Sequence, residues 1–294
     1  MRQTLTSTFT LSSLHVGPLF LFLPLFLFLS SCETPPKTEE QQPTPLFPSV
    51  TLLGEAQGTT YNIKYLNDTV DYKSAIDSLL LAFDKDLSNW REGSLINRIN
   101  AFDRTDTVFA FVDSTKFFSV VFDVSREIYE KTDGAFDPTV YPLVEAWGFG
   151  LKNRTNITEE LIDSLRTKVS MQAGNVDMIE MFRDTYFYEE TQIRKGQKGV
   201  RLDFNAIAQG YSVDLIGELL EMRGVNDYMI ELGGEVLCKG VNPYGEPWRI
   251  AIDKPVGENE AREFQALLDV SNKAVATSGS YRKYYEEDGK RYSH

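Results

Sequence analysis

The stretch Leu202–Tyr211 constrains the fold and the function of this chain more than any other. It reads Leu-Asp-Phe-Asn-Ala-Ile-Ala-Gln-Gly-Tyr and follows an apolar, β-branched run. The pattern predicts a strand over Val200–Phe204 and a helix after it, with Asp203 at the junction. The start of a helix presents unpaired N–H groups and the positive end of the dipole, so this junction suits a phosphate-bearing ligand.

A second strand, Tyr228–Leu232, follows the helix and ends in Gly233-Gly234, a pair that permits backbone angles closed to other residues. An ordinary strand-helix-strand unit, in which Asp203 only caps the helix, explains the same pattern. The stretch by itself therefore leaves a ligand site and a structural unit equally open.

Three further segments occur in order along the chain. They are Gly58–Tyr61, which begins a strand-like run, Asp133–Val140, and Ala276–Tyr285. Together with the strand-like Trp248–Ile252, they resemble the ApbE family of FAD:protein FMN transferases, from about Leu53 to the last residue. Each motif alone is weak, but the ordered set is highly specific.

The resemblance implies an enzyme that transfers the FMN moiety of FAD onto a Ser or Thr hydroxyl of an acceptor flavoprotein and releases AMP. Mg²⁺ would stabilise charge on the diphosphate. The implied acceptors are flavoprotein subunits of membrane electron-transfer complexes. Two alternatives stay open: a FAD pyrophosphatase that yields FMN and AMP, and a lipoprotein that binds FAD without chemistry.

The resemblance also assigns site residues. Asp203 contacts the flavin nucleotide, Ala206 binds Mg²⁺ through its backbone carbonyl, and His294 acts as a base for the acceptor hydroxyl. The other positions assigned to FAD binding are Gln57, Trp90, Ala135, Phe136, Asp137, Gln209, Thr277 and Ser278. Gln57 departs from the Met that is usual in the family, and Trp90 takes the place of an aromatic residue that covers the flavin.

Several of these residues have structural explanations as well. Trp90 alone fits a core aromatic, Asp137 fits the start of a turn, and His294 fits a solvated chain end. The resemblance implies that the chain continues past this His for some tens of residues, which supply an Asp and a nearby Asp or Thr as metal ligands. We therefore expect a C-terminally truncated chain with weak metal binding and little transferase activity.

The N-terminus predicts export. Arg2 precedes an almost wholly apolar run, Val16–Leu29, and the sequence Leu-Ser-Ser-Cys that ends at Cys32 matches a lipobox. The run is short for a membrane span and contains prolines, so cleavage is favoured over an uncleaved anchor. Lipid on Cys32 would hold the protein on the extracytoplasmic, periplasmic side of a membrane. The predicted organisation is a signal peptide over residues 1–31, a Pro-rich tether over 32–48 and a flavin transferase domain over 49–294.

The composition of the chain limits the ligands and the catalytic groups that it can use. The chain carries a formal charge of −13, which removal of the signal makes one unit more negative, and such an acidic protein is unsuited to nucleic acid. With Cys32 acylated, Cys238 is the only thiol left, and we expect it to be a small buried apolar residue. His294 is the only imidazole beyond the signal, so a metal would need oxygen ligands, which favours Mg²⁺ or Ca²⁺.

Local patterns predict one α+β domain. Strand-like runs over Val50–Glu55 and Thr59–Leu66 predict a hairpin, and apolar residues at helical spacing predict a helix over Tyr72–Leu87. The family resemblance implies the ApbE, T-fold-like architecture, with mostly antiparallel strands packed against helices.

Overall fold

The structure, a computed structural model, describes residues 44–150, 154–183, 188–254, 263–279, 284–287 and 289–293. The predicted signal peptide, Cys32 and His294 lie outside these ranges. In chain order the strands are β1 (Ser49–Ala56), β2 (Thr59–Leu66), β3 (Val108–Phe111), β4 (Val176–Arg183), β5 (Tyr188–Lys195), β6 (Tyr228–Leu232), β7 (Glu235–Lys239), β8 (Trp248–Asp253), β9 (Phe264–Val270), β10 (Lys273–Val275), β11 (Tyr284–Glu287) and β12 (Lys290–Ser293). The helices are α1 (Lys73–Leu87), α2 (Leu95–Ala101), α3 (Phe117–Lys131), α4 (Tyr141–Ala146), α5 (Glu159–Arg166) and α6 (Asn205–Met222).

The named strands pair antiparallel throughout. The largest sheet has the order β1-β2-β6-β7-β10, a second has the order β3-β5-β4, and β8-β9 and β11-β12 form two-stranded sheets. Burial alternates along β6, the central strand of the large sheet, as expected for a sheet that packs one face on the core. In β6, Tyr228, Ile230 and Leu232 are buried and the residues between them are half-buried. The predicted hairpin of β1 and β2, helix α1 and mostly antiparallel α+β fold are confirmed.

Two tight turns lie next to each other at one end of the strands of the large sheet. Gln57 and Gly58 join β1 to β2 with φ values of 53° and 71°, and Gly233 and Gly234 join β6 to β7 with φ values of 61° and 102°. Positive φ values at both central residues are typical of the turns that close two-residue hairpins. The Gly233 N–H donates to the Thr60 carbonyl at 3.1 Å, so the two turns lie side by side.

Helix α6 contributes to two hydrophobic cores. Val213, Ile216 and Leu220 pack in the core between the large sheet and α1. Ala208, near the start of the helix, belongs to a second core with residues of α2, α3 and the β3-β5-β4 sheet. A helix that packs against two cores has a wide apolar surface. The start of α6 therefore lies where the two cores meet.

The predicted strand over Val200–Phe204 is wrong. Arg201 makes only an isolated bridge to Val140, and no strand includes residues 202–204. Leu202 and Phe204 are nonetheless completely buried. The alternation of buried apolar residues looked like a strand, but the backbone here is hydrogen-bonded by side chains and a loop instead of a neighbouring strand.

The first described residues lie against the domain. The N–H groups of Leu46 and Phe47 both donate to the Pro243 carbonyl, at 2.7 and 3.1 Å. Phe47 also packs on a small core formed by residues of β2, β7, β8 and β9. The end of the segment predicted as a tether is therefore in contact with folded structure. In the part of the chain that the structure describes, no helix has the length and apolar character needed to span a bilayer.

Candidate active site

The start of α6 is built around Asp203. Its Oδ1 accepts a hydrogen bond from the Asn205 N–H at 2.8 Å, and its own N–H donates to the Pro138 carbonyl at 2.6 Å. Phe204 is the N-cap residue and makes no side-chain cap. Asp203 is 9% exposed, so the carboxylate is buried beside the positive end of the helix. The capping role is therefore present, and contact with a nucleotide stays a prediction.

Two buried asparagines hold the peptide before Asp203. Asn100 pairs with Leu202 in both directions: its Nδ2 donates to the Leu202 carbonyl at 2.8 Å, and the Leu202 N–H donates to its Oδ1 at 2.7 Å. Asn89 Nδ2 donates to the same carbonyl at 3.0 Å. Buried peptide groups need hydrogen-bond partners, and these side-chain amides supply the hydrogen bonds that a neighbouring strand would supply in a sheet.

The loop before α2 carries the aromatic residue that was predicted to cover the flavin. Trp90 is 56% exposed, so it is not the core aromatic that the sequence also allowed. Asn97 of α2 holds this loop, because its Nδ2 donates to the carbonyls of Ser88, Asn89 and Arg91 at 3.4, 3.1 and 2.8 Å. An exposed indole on a loop fixed in this way can stack on a planar ligand with little further ordering.

A second loop brings Asp137 to the start of α6. Asp137 Oδ1 accepts hydrogen bonds from the Thr139 N–H at 2.8 Å and from the Thr139 hydroxyl at 2.6 Å. This is the turn-starting role that the sequence allowed. Since the Pro138 carbonyl accepts the Asp203 N–H, the whole loop lies beside α6. Ala135 is exposed and Phe136 is half-buried on the same loop.

Gln209, one turn into α6, reaches the paired glycines. A Cβ placed on Gly233 would lie 2.4 Å from Gln209 Nε2 and 2.7 Å from Thr59 Cγ2. A Cβ placed on Gly234 would lie 3.3 Å from Thr277 Oγ1. The predicted ligands Gln209 and Thr277 thus contact the same turn, and the absence of a side chain at its first position makes room for the amide.

Asp84 connects the hairpin turn to the tryptophan loop. It accepts a hydrogen bond from the Gln57 N–H and lies near Arg91. Burial raises the pKa of Asp84, and these two groups oppose that shift. The Nε2 of Gln57 is buried and finds no hydrogen-bond partner among the residues described. The Gln57 turn therefore carries a buried amide donor.

These contacts define a perimeter around the start of α6. It runs from the Gln57 turn through Asp84 to the Trp90 loop, through Leu202 to Asp203, and along α6 to the Gly233-Gly234 turn. The predicted residues on or next to it are Gln57, Trp90, Ala135, Phe136, Asp137, Asp203, Ala206, Gln209, Thr277 and Ser278, of which the last two are exposed.

Two cavities differ in their relation to this perimeter. One of about 350 Å³ lies between α3 and α6 and is lined by Ala206, Gly210, Tyr211 and valines of α3. Burial raises the pKa of Tyr211, so its phenol stays neutral near pH 7. A larger cavity of about 460 Å³ lies along α1 near Lys73 and contains none of the predicted residues. Of these two, the cavity between α3 and α6 is the one that adjoins the perimeter.

Metal ligands do not converge in the described part of the chain. Within those ranges no three His, Cys, Asp or Glu side chains are placed to hold an ion together. Ala206 is exposed on the first turn of α6 and has only its backbone carbonyl to offer. Within the described ranges no cluster of acidic side chains forms a Mg²⁺ site, and metal binding at Ala206 stays a prediction.

Cys238 is excluded as a nucleophile. It is completely buried in β7 and free of any disulfide. Burial raises the pKa of its thiol to about 12, so the reactive thiolate is scarce at neutral pH. The prediction of a small buried apolar residue is confirmed.

Known proteins match this chain along most of its length. A model of the ApbE family matches residues 57–294. The chain belongs to the ApbE family. An FAD:protein FMN transferase from Vibrio cholerae serotype O1 is 34% identical over 279 residues, which are 92% of this chain and 75% of that protein. The Escherichia coli K12 protein of the same name is 32% identical over 275 residues, 91% of this chain and 73% of its own.

Solved structures agree with the ApbE assignment. The flavin transferase ApbE from Vibrio cholerae superposes with a TM-score of 0.68 at 33% identity, covering 84% of this chain and 75% of that one. The ApbE protein from Thermotoga maritima gives a TM-score of 0.68 at 27% identity, with the same coverage. The single ApbE domain inferred from the motifs is confirmed, and the protein is an enzyme of the transferase class.

Sequence reasoning missed the residues that hold the ApbE site together. The sequence did not single out Asp84, which joins the Gln57 turn to the Trp90 loop. Nor did it single out Asn97 and Asn100, which join α2 to that loop and to the peptide before Asp203. The available signal was two asparagines three residues apart in a short apolar helix. Asn is a poor helix former, so such a pair calls for a hydrogen-bonding role.

Proposed function

We propose that this protein binds FAD inside the perimeter around the start of α6 and transfers its FMN moiety to a Ser or Thr hydroxyl of an acceptor flavoprotein. One observation carries the proposal: the exposed Trp90 and the Asp203 turn are joined by buried amides through Leu202. An aromatic face and a helix start on one rigid support suit a ligand that has a flat ring and a diphosphate. The names of the Vibrio and Escherichia relatives support FAD as that ligand.

The chemical step is an in-line displacement at phosphorus. The acceptor oxygen attacks the phosphorus on the FMN side of the diphosphate, the bond from that phosphorus to the AMP oxygen breaks, and the hydroxyl proton passes to a base. The N–H groups at the start of α6 and the Gln209 amide are donors that can hold the diphosphate in line. His294 remains our proposed base, on the family resemblance.

Magnesium dependence is part of the proposal on the resemblance alone. When bound, Mg²⁺ would neutralise charge on the diphosphate and on the departing AMP. The roles given to Asp203, Gln209 and Trp90 are argued from their own contacts and exposure, separately from the ion. Those roles concern binding and orientation of FAD.

We also propose that lipid on Cys32 anchors the protein on the periplasmic side of a membrane. There it would meet its acceptors, flavoprotein subunits of membrane electron-transfer complexes. The apolar run before Cys32 and its lipobox support this location. Mass spectrometry of the protein from membranes should find a lipidated N-terminal Cys32, and a peptide that retains residues before it would contradict cleavage.

The transfer assay combines the 294-residue chain, FAD, Mg²⁺ and an acceptor flavoprotein subunit, followed by mass spectrometry of the acceptor. Covalent FMN on a Ser or Thr, with AMP in solution, is the expected product, in the low yield that follows from the little activity expected from the sequence. Asp203→Asn keeps an oxygen that can cap the Asn205 N–H but loses the charge, so it should fold normally and transfer less. Free FMN and AMP beside an unmodified acceptor would indicate a pyrophosphatase, and intact bound FAD would indicate a binding lipoprotein.

A further inference from the structure

Helix α2 stands between the two halves of the proposed FAD site. Asn97 and Asn100, which we call the α2 amide pair, are three residues apart and so lie on one face of the helix. Asn97 bonds to the loop that presents Trp90, and Asn100 bonds to the peptide next to Asp203. Neither side chain belongs to the set predicted to touch FAD. The pair is therefore placed to fix the separation of two binding elements.

The Asn97 contacts explain why the indole is turned outward. Its Nδ2 donates to three carbonyls of the loop, at 2.8 to 3.4 Å, so the backbone of that loop curls around the helix. Ser94 caps the first turn by accepting the Asn97 N–H at 3.2 Å, and its hydroxyl donates to the Ser88 carbonyl at 2.8 Å. With the carbonyls drawn toward α2, the Trp90 side chain is left 56% exposed.

The Asn100 contacts replace a missing strand. Leu202 is completely buried, and both of its peptide groups bond to Asn100, at 2.7 and 2.8 Å. Asn100 itself is 6% exposed, so no water can easily substitute for it. Loss of this side chain would remove the partner of the Leu202 N–H and leave the Leu202 carbonyl bonded to Asn89 alone.

The helix is also fastened at its other end. Lys195 of β5, 1% exposed, donates from Nζ to the carbonyls of Ile99 and Phe102, at 2.7 and 2.8 Å. A cation at the C-terminus of a helix is favourable. Hydrogen bonds therefore hold both ends of α2. We expect the helix to stay in place when one amide of the α2 amide pair is removed.

We propose that the α2 amide pair positions the FAD site: Asn97 sets the Trp90 loop and Asn100 sets the Asp203 turn. The inference rests on the proposed function, because it assumes that FAD lies between these two elements. It predicts that substitutions of the pair weaken FAD binding without removing any group that touches FAD. A purely structural role predicts lower stability with unchanged affinity.

The test measures FAD affinity by calorimetry and by quenching of Trp90 fluorescence, taken as the difference between wild type and W90F. Variants are N97A and N100L, with N242A as the matched control. Asn242 makes the same kind of contacts in a distant loop, donating to the Pro247 carbonyl at 2.9 Å and accepting the Tyr244 N–H at 2.8 Å. All three variants should lose thermal stability.

N97A and N100L should bind FAD about tenfold more weakly, the equivalent of one well-formed hydrogen bond. N97A should in addition lose most of the Trp90 quenching, and N242A should bind as wild type does. If N97A and N100L bind as tightly as N242A, the inference is wrong. If wild type binds no FAD at all, the proposed function fails first, so the two failures are distinguishable.

N100D carries the test if N100L does not fold. The carboxyl group that N100D introduces has one donor and one acceptor when it is protonated and can then reproduce the pairing with Leu202, whereas its ionised form repels the Leu202 carbonyl. Acidification should therefore restore FAD affinity in N100D relative to wild type, which has the same neighbouring charged groups, Lys195, Arg201 and Asp203. An affinity ratio that does not change with pH would contradict the pairing role.

Discussion

Gly233→Ala places a methyl group where the structure has no room for one. The φ of Gly233 is 61°, a conformation that costs an L-residue about 1 kcal/mol. The new Cβ would lie 2.4 Å from Gln209 Nε2 and 2.7 Å from Thr59 Cγ2. The amide of Gln209 can swing away, but the β-branched Thr59 is stiff, so the backbone must also shift, at about 1–2 kcal/mol. We expect a total loss of about 2–3 kcal/mol in the free energy of unfolding.

Gly224→Ala is the matched control. Gly224 ends α6 with a φ of 83°, and no heavy atom lies within 4 Å of a Cβ placed there. It shares the backbone cost, about 1 kcal/mol, without the collision. The difference between the two variants therefore isolates the contact with Gln209 and Thr59.

Thermal unfolding followed by circular dichroism, with and without FAD, measures both effects. For a domain of this size about 1 kcal/mol corresponds to about 2–4 °C, so Tm should fall by about 4–12 °C in G233A and about 2–4 °C in G224A. Because Gln209 is displaced, G233A should also bind FAD more weakly, while G224A binds normally. Equal Tm values and equal FAD affinities in the two variants would refute the reasoning.

Three single side chains give further predictions. W90A should weaken FAD binding about tenfold and W90F much less, in a calorimetric titration, because an aromatic face is retained. Burial lowers the pKa of Lys195 to about 8, against about 10.4 when unfolded. Between these values the unfolded state holds more protons, so the stability of wild type relative to K195M should rise with pH, by at most about 1.4 kcal/mol per unit in urea titrations. An alkylating reagent should label Cys238 only after unfolding, as measured by peptide mass spectrometry, since its thiol is buried. A W90A affinity equal to wild type, a pH-independent difference for K195M, or rapid native labelling would each contradict the corresponding argument.

Local signals predicted the parts of the fold that depend on near neighbours. The β1–β2 hairpin is specified by alternation and a two-residue turn, and α1 by apolar residues at helical spacing. The ordered motifs then gave the family and the single ApbE domain, which the comparisons confirm. The start of α6 was also placed from sequence, because Asp203 follows a buried run and precedes small residues.

Contacts across long sequence separations could not be read in this way. Leu202 was assigned to a strand because burial and alternation do not reveal what pairs with the backbone. Its partner is Asn100, 102 residues away in the chain, a residue type that usually lies on surfaces. Likewise the large apolar side chain of Trp90 suggests a buried residue. Its exposure follows from the contacts of Asn97 with the loop that carries it, which the sequence does not show.

A crystal structure of the protein with FAD tests the central claim most directly. We predict the diphosphate against the N–H groups at the start of α6, within contact of Asp203 or Gln209, and an aromatic ring of the ligand on Trp90. FAD bound in the cavity along α1, or anywhere that leaves the α6 start and Trp90 untouched, would contradict the account.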